Sequence, residues 1–145
     1  MPTRSLTSSA LTWPDRATVD PAVRTWAQRI ATLRPEVLRI GYFGSYARGD
    51  AGVGSDLDII AIVERAPSRA EERILGWDAV SLPVPVDLLV YTVGEWATVS
   101  RRGRFGETLI KETAWVYERG PQLERRTHSA KPATPRPRPR PRART

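Results

Sequence analysis

The chain of 145 residues has room for one domain of ordinary size, and its formal net charge is +7. Eight basic residues and one acidic residue lie within 121–145, whereas residues 1–120 are neutral, which excludes a uniformly basic nucleic-acid-binding domain. Because the chain has no cysteine and His128 is its single histidine, disulfide frameworks, thiolate or histidine metal sites, cysteine nucleophiles and Ser-His-Asp triads are excluded as well.

The N-terminal part of the chain predicts a flexible arm followed by one amphipathic helix. Residues 1–14 begin with a stretch rich in Ser and Thr that has little apolar pattern. Asp15 is a plausible N-cap, and Pro35 predicts the end of the helix. Between them, apolar residues recur at spacings of three and four, as on one face of a helix. The stripe consists of Val19, Val23, Trp26, Ile30 and Leu33.

Two strands and an intervening turn are predicted next. Residues 37–43 are short, apolar and β-prone, and residues 57–63 form the clearest strand pattern in the chain. Four glycines lie within residues 44–55, which predicts a turn with room for one short helical turn near 45–48.

The second half of the sequence predicts three helices and two further strands. A capping-box pattern, Ser68-x-x-Glu71, predicts a helix that continues to about Val80, and a second pattern, Thr92-x-x-Glu95, predicts a helix carrying Trp96. The remaining predicted elements are a strand over 86–91, a helix around 105–113 and a strand over 115–117.

Residues 15–120 are therefore predicted to form one α/β (α+β) domain, in which helices flank a small mixed β-sheet. Residues 121–145 cannot build a core, because proline and arginine alternate strictly over 135–142. We expect a disordered basic tail. It is either a solubilising extension, a contact for RNA or DNA phosphates, or a docking segment for an acidic partner protein.

The longest apolar stretches contain five or six residues, far fewer than the roughly 20 that span a bilayer. The first ten residues lack the apolar run of a signal peptide. A cytoplasmic protein without membrane contact is therefore expected.

Three aspartates lie where two of the predicted strands begin. Asp56 and Asp58 flank Leu57, and because strand side chains alternate between faces, both carboxylates point the same way. Asp87 lies in an apolar run and faces the same point if the two strands are neighbours. Two unit charges about 4 Å apart repel by roughly 4 kcal/mol at an effective dielectric constant near 20, and bound Mg²⁺ or Mn²⁺ would relieve that repulsion. The alternative is three ordinary strand-end acids facing water.

Gly44 and Ser45 directly follow the first predicted strand, where a helix would begin. Glycine lets a phosphate approach the backbone, and free amides with the serine hydroxyl supply donors to it. Alone, this dipeptide favours a simple strand-to-helix turn. Arg48 lies about one turn further on and is expected either to contact a phosphate or to form an ion pair with Asp50 or another acid.

The order of these motifs resembles a known family. Gly44-Ser45, followed after ten residues by Asp56-Leu57-Asp58, is similar to the signature of the DNA polymerase beta-like nucleotidyltransferases. The strand that carries Asp87 resembles the one that bears the third carboxylate of that superfamily. Within the superfamily, the small size resembles the minimal nucleotidyltransferases, many of which are antitoxin partners of HEPN-domain ribonuclease toxins.

The resemblance implies a role for each of these residues. Gly44 and Ser45 would hold the β- and γ-phosphates of ATP, Asp56 and Asp58 would bind two Mg²⁺ ions, and Asp87 would help to hold the catalytic ion and accept a proton. The implied activity is Mg²⁺-dependent transfer of AMP to a hydroxyl of a partner protein, with a tyrosine of a HEPN-domain toxin as the favoured acceptor. The alternatives are transfer to a small molecule such as an aminoglycoside, and an antitoxin that acts by occlusion without catalysis.

Overall fold

A four-stranded mixed sheet, with the strand order β3-β2-β1-β4, organises residues 13–120, the part of the chain that the computed structural model describes. β1 is antiparallel to both β2 and β4, whereas β2 and β3 are parallel. The strands are β1 (Val37–Phe43), β2 (Leu57–Val63), β3 (Val86–Thr92) and β4 (Ala114–Glu118). The predicted arm, apart from its last two residues, and the predicted tail over 121–145 lie outside the described residues.

Five α-helices flank this sheet within residues 13–120. They are α1 (Arg16–Leu33), α2 (Ser45–Arg48), α3 (Ala70–Arg73), α4 (Val93–Ala97) and α5 (Gly103–Glu112). A single 3₁₀ turn, Val99–Arg101, connects α4 to α5. The predicted mixed α/β fold is thus confirmed, and the predicted strands lie within one residue of the observed ones at most ends.

The sheet separates two apolar layers, because successive side chains of a strand point to opposite faces. On one face, Leu57 and Ile59 of β2 join the core that includes Val23 of α1. On the other face, Ile60 of β2 packs in a smaller cluster with Leu109 of α5. The sheet is therefore covered by α1 on one side and by α5 on the other.

Helix α1 begins where the sequence predicts. The Asp15 carboxylate accepts a hydrogen bond from the Thr18 amide at 3.0 Å, as an N-cap should. The first four members of the apolar stripe are buried, but Leu33 is 71% exposed and contributes nothing to the core. Beside it, Arg34 packs its guanidinium over the ring of Trp77, 4.9 Å from the ring centroid.

The long helix predicted over 68–80 is wrong. Only Ala70–Arg73 is helical, and its N-cap is Arg69, which makes no side-chain capping bond. Gly76 takes a φ of 78°, a left-handed conformation that ends helices. No apolar helical face forms here, since Leu75 and Val80 are 68% and 91% exposed. Tertiary contacts hold the segment instead, among them hydrogen bonds from Arg73 to the backbone carbonyls of Pro67 and Val90.

The second predicted capping box is confirmed at the start of α4. The Thr92 hydroxyl accepts a hydrogen bond from the Glu95 amide, and the Glu95 carboxylate accepts one from the Thr92 amide. Arg73 also donates to Glu95 at 2.7 Å, so this helix end is joined to the segment before β3. None of the helices in residues 13–120 is both long and apolar enough to cross a bilayer.

Candidate active site

Asp58 and Asp87 are direct neighbours across the parallel pair of β2 and β3. Adjacent strands lie about 4.8 Å apart, and residues in register point to the same face, so both carboxylates project toward the face that α5 covers. Asp56 precedes β2 by one residue and faces the same cleft as the other two acids. The neighbouring strands that the sequence argument required are therefore present.

One cleft of about 450 Å³ gathers all six of the residues that the sequence singled out. Its lining consists of Phe43, Gly44, Ser45, Arg48, Asp56, Asp58, Asp87, Phe105, Thr108 and Glu112. The acids form one side, and the turn between β1 and α2 brings the Gly-Ser pair to them. The arrangement places a backbone loop suited to phosphate oxygens beside a cluster of oxygen ligands.

Asp58 is the electrostatic centre of the cleft. Burial raises the pKa of its carboxyl, and the neighbouring charges of Asp87 and Asp56 raise that pKa further, while Arg48 opposes the shift. The three acids therefore interact unfavourably, as the sequence argument expected. A cation or a cationic complex bound among them would reverse the sign of that interaction.

Gly44 is required by the close approach of its backbone to Asp58. Its φ is 75° and its ψ is −151°, a conformation that side chains other than hydrogen rarely allow. A Cβ atom at this position would also collide with the Asp58 carboxylate oxygen Oδ2. The backbone of the β1–α2 turn is thus packed directly against the acid cluster.

Arg48 is held by two acidic side chains. Its guanidinium lies 3.2 Å from Asp50 and 3.4 Å from Glu112. The ion pair that the sequence allowed with Asp50 is present, and Glu112 of α5 is the further acid. Arg48 also lines the cleft, and its contact with a phosphate stays a prediction.

A hydrogen-bond network behind the sheet supports the β1–α2 turn. Arg16 of α1 donates to the backbone carbonyl of Ala47 at 3.1 Å and to the Tyr42 hydroxyl at 3.2 Å. The Tyr42 hydroxyl in turn donates to Asp20 at 2.7 Å. The start of α1 therefore fixes the position of α2 and, through it, of the Gly44–Ser45 backbone.

Helix α5 supplies a wall of the cleft that the sequence argument missed. Phe105, Thr108 and Glu112 lie three and four residues apart, which places them on one helical face. Leu109 on the adjoining stripe is fully buried and anchors the helix to the sheet. The sequence shows this spacing, but no local sequence pattern indicates that the helix packs beside residues 44–58.

The chemistry of the cleft suits Mg²⁺ carried with a nucleotide. Among residues 13–120, no three acidic or histidine side chains are close enough together to form an ion site by themselves. Mg²⁺ is usually bound through one or two carboxylates together with substrate phosphates and water. The all-oxygen donor set and the raised pKa of Asp58 fit this mode of binding.

The family comparison gives the enzyme class. Residues 23–113 match the model of the nucleotidyltransferase domain family. The chain belongs to this family, and its enzyme class is that of a nucleotidyltransferase. The resemblance drawn from the Gly-Ser and Asp-x-Asp motifs is thereby confirmed at the level of the family.

The chain is similar to solved structures. A proposed nucleotidyltransferase from Sulfolobus solfataricus is 21% identical, with a TM-score of 0.53 over 72% of this chain and 84% of that one. A toxin–antitoxin structure with AMP-PNP is 15% identical, with a TM-score of 0.43 over 70% and 77%. The first likeness supports the fold alone, and the second is too weak to carry an inference. A comparison with curated proteins gave no match.

Proposed function

We propose that this protein transfers AMP from Mg²⁺-bound ATP to a hydroxyl of a partner protein, with tyrosine as the favoured acceptor. One observation carries the proposal. Asp58 and Asp87 lie opposite each other on neighbouring strands, and both line the cleft that Gly44 and Ser45 also line. In-line displacement at a phosphorus atom needs such an arrangement, because the phosphates must be held on one side and the attacking oxygen on the other.

In this proposal the Gly44 and Ser45 backbone, with the serine hydroxyl, binds the β- and γ-phosphates. The acceptor oxygen forms a bond to the α-phosphorus, the bond from that phosphorus to the bridging oxygen breaks, and pyrophosphate leaves. Asp87 accepts the proton of the attacking hydroxyl. Asp56 and Asp58 would hold two Mg²⁺ ions, which when bound stabilise charge on the attacking and leaving oxygens; Mn²⁺ has the same preference for oxygen ligands.

The acceptor is proposed to be large because the cleft belongs to a small domain. In residues 13–120, one sheet with its flanking helices makes up the whole of the folded part, and an acceptor held only by this cleft would have few contacts. A protein acceptor supplies its own surface around the hydroxyl. The resemblance to minimal nucleotidyltransferases favours a HEPN-domain toxin in this role, which makes the chain the antitoxin of a toxin–antitoxin pair.

Labelled ATP tests the proposal. The protein is incubated with Mg²⁺ and the product of its neighbouring gene, using ATP labelled at either the α- or the γ-phosphate. We expect label on the neighbour from α-labelled ATP only, and none with the double variant Asp56→Ala/Asp58→Ala. If the double variant still blocks the toxic activity of the neighbouring gene's product completely, the result would support occlusion without catalysis. Label on an added aminoglycoside, with none on the neighbour, would move the acceptor to a small molecule.

A further inference from the structure

We infer that Phe105 is the stacking platform for the base of the donor nucleotide, so that α5 selects an aromatic nucleoside triphosphate over a bare polyphosphate. This inference rests on the proposed function, because it assumes that the phosphates lie at Gly44 and Ser45. It assigns a binding role to a residue that belongs to none of the sequence motifs.

The first observation is the exposure of Phe105 in the cleft that holds the three aspartates. Its side chain is 53% exposed, yet it lines the same cleft as the three aspartates and Arg48. An exposed single apolar residue is ordinary on a protein surface. In a cleft whose other functional groups are carboxylates, a guanidinium and hydroxyls, a large aromatic surface is suited to the apolar part of a ligand.

The second observation is that the ring is held in place. Phe43 contacts it edge to face, with the two ring centroids 6.2 Å apart and an interplanar angle of 78°. Phe43 is the last residue of β1 and is the register partner of Asp58. Leu109, one turn after Phe105, is fully buried. The ring is thus held by the sheet and by the helix. Binding of a ligand would therefore cost little further side-chain entropy at Phe105.

The third observation is the position of the ring relative to the acids and the phosphate loop. Phe43, which contacts the ring, adjoins both features, since it is the register partner of Asp58 and precedes Gly44 in the chain. Along α5, Phe105 and Glu112 are seven residues apart, which is about 10.5 Å. Glu112 pairs with Arg48, so the guanidinium and the Phe105 ring line the same cleft from opposite ends of this stretch of α5. A nucleotide has the same polarity, with charge at one end and an aromatic ring at the other.

Helix α5 would contact the base mainly through stacking on the Phe105 ring. Base–aromatic stacking is tolerant of base identity and, on alanine substitution, typically changes affinity by roughly 5- to 150-fold. Removing the ring should therefore weaken nucleotide binding without weakening the binding of phosphates alone.

Calorimetric binding in the presence of Mg²⁺ tests this inference with two probes, α,β-methylene-ATP and inorganic tripolyphosphate. We expect Phe105→Ala to weaken the analogue at least fivefold and to leave tripolyphosphate unchanged, while Phe105→Tyr keeps wild-type affinity. Ile110→Ala is the matched control, because Ile110 is 48% exposed on the same helix and lies outside the cleft lining; it should bind both probes normally.

The outcomes separate this inference from the proposed function. If the wild type binds neither probe, the nucleotide site itself is wrong and the inference fails with it. If the wild type binds the analogue and Phe105→Ala binds it equally well, the inference alone fails, and a raised KM for the acceptor in that variant would assign the ring to the acceptor. Equal weakening of both probes would mean that Phe105 only supports the shape of the cleft.

Discussion

Asp58 lies directly opposite Asp87 across the parallel strands β2 and β3, and both acids face one cleft together with Asp56. A folded protein that holds like charges so close loses stability unless something offsets the repulsion. Burial and these two neighbours raise the pKa of the Asp58 carboxyl. Under the proposed function, Mg²⁺ bound with the nucleotide would offset this repulsion.

Substitution of Asp58 by asparagine should stabilise the free protein at neutral pH, because it removes the charge repulsion and keeps the shape of the side chain. We expect a gain of up to about 1 kcal/mol, since solvent screens part of the repulsion. Thermal melting measures it. Addition of Mg²⁺ and ATP should raise the melting temperature of the wild type and leave that of Asp58→Asn almost unchanged.

Glu107→Gln is the control for this comparison, because it removes one acidic charge from an exposed position of α5 outside the cleft lining. It should change the stability of the free protein by no more than a few tenths of a kcal/mol. It should also leave the rise in melting temperature with Mg²⁺ and ATP unchanged. A destabilised Asp58→Asn protein would contradict the view that repulsion dominates at this position.

Two glycines with a positive φ differ in ψ, which is −151° at Gly44 and 16° at Gly49, and in their surroundings. Gly44 has a φ of 75° and Gly49 a φ of 82°, but only the Cβ added at Gly44 meets Asp58, while that at Gly49 meets nothing within 4 Å. Gly49→Ala should lose roughly 1 kcal/mol of stability through backbone strain. Gly44→Ala should lose more, because its φ and ψ lie in a region that essentially only glycine occupies and its Cβ would meet Asp58. We expect Gly44→Ala also to lose nucleotide binding at least tenfold.

Binding of α,β-methylene-ATP, measured beside chemical denaturation, distinguishes the two glycine variants. Gly49→Ala should retain the affinity of the wild type. If both variants bind the analogue equally well, the β1–α2 turn does not contact the phosphates.

The Arg16 side chain is expected to act as a positioning group for that turn. It bonds the Ala47 carbonyl from the far side of the sheet without lining the cleft. Arg16→Ala should therefore raise the KM for ATP several-fold while kcat changes little. Arg29→Ala is matched to it, since Arg29 lies on the same helix and donates to the Ser81 hydroxyl at 2.9 Å, away from Tyr42 and Asp20. An equal rise of KM in both variants would mean that helix stability, not the bond to Ala47, is responsible.

Glu95 should make stability depend on pH in the acidic range. Partial burial acts to raise its pKa, but hydrogen bonds from Arg73 and Thr92 outweigh it, so the pKa lies below the ordinary value of 4.5. A lowered pKa means that the unfolded chain binds the proton more tightly. The stabilisation is therefore complete above pH 4.5 and is lost as the pH falls through the lower pKa of the folded state.

Glu95→Gln should cost about 1 kcal/mol at pH 7, because a charged hydrogen-bond acceptor is lost from the start of α4. Denaturation at several pH values checks this. The difference between variant and wild type should shrink steadily below pH 4.5. A difference that is the same at pH 3 and pH 7 would show that the charge of Glu95 is not involved.

Local patterns predicted the parts of this protein that local forces determine. The apolar run of β2 and the Asp15 and Thr92 caps are set by near neighbours in the chain, and the structure has them where expected. The predicted helix over 68–80 is wrong because contacts with distant residues, not local patterns, decide the conformation of this segment. A capping-box pattern at Ser68 is a local signal, but the segment has no apolar helical face, and Arg73 and Trp77 hold it through contacts with distant residues.

Some residues of the candidate site were likewise predictable from local spacing, and others depended on tertiary packing. Gly44, Asp56 and Asp58 lie within fifteen residues of one another and could be joined by spacing alone, whereas Asp87 needed the assumption that β2 and β3 are neighbours. The wall formed by Phe105 lies about sixty residues from Phe43 in the chain. Its contact with the cleft follows from the packing of α5 on the sheet, which no local pattern records.

The proposed transfer of AMP is tested most directly by the mass of the acceptor protein after incubation with ATP and Mg²⁺, with the wild type compared with Asp87→Asn. We expect the mass of one AMP group on a hydroxyl side chain with the wild type, and a rate at least a hundredfold lower with Asp87→Asn, because the carboxylate that accepts the proton of the attacking hydroxyl is lost. Equal rates of AMP addition by the two proteins would contradict the proposal, as would the gain of a phosphate group in place of AMP.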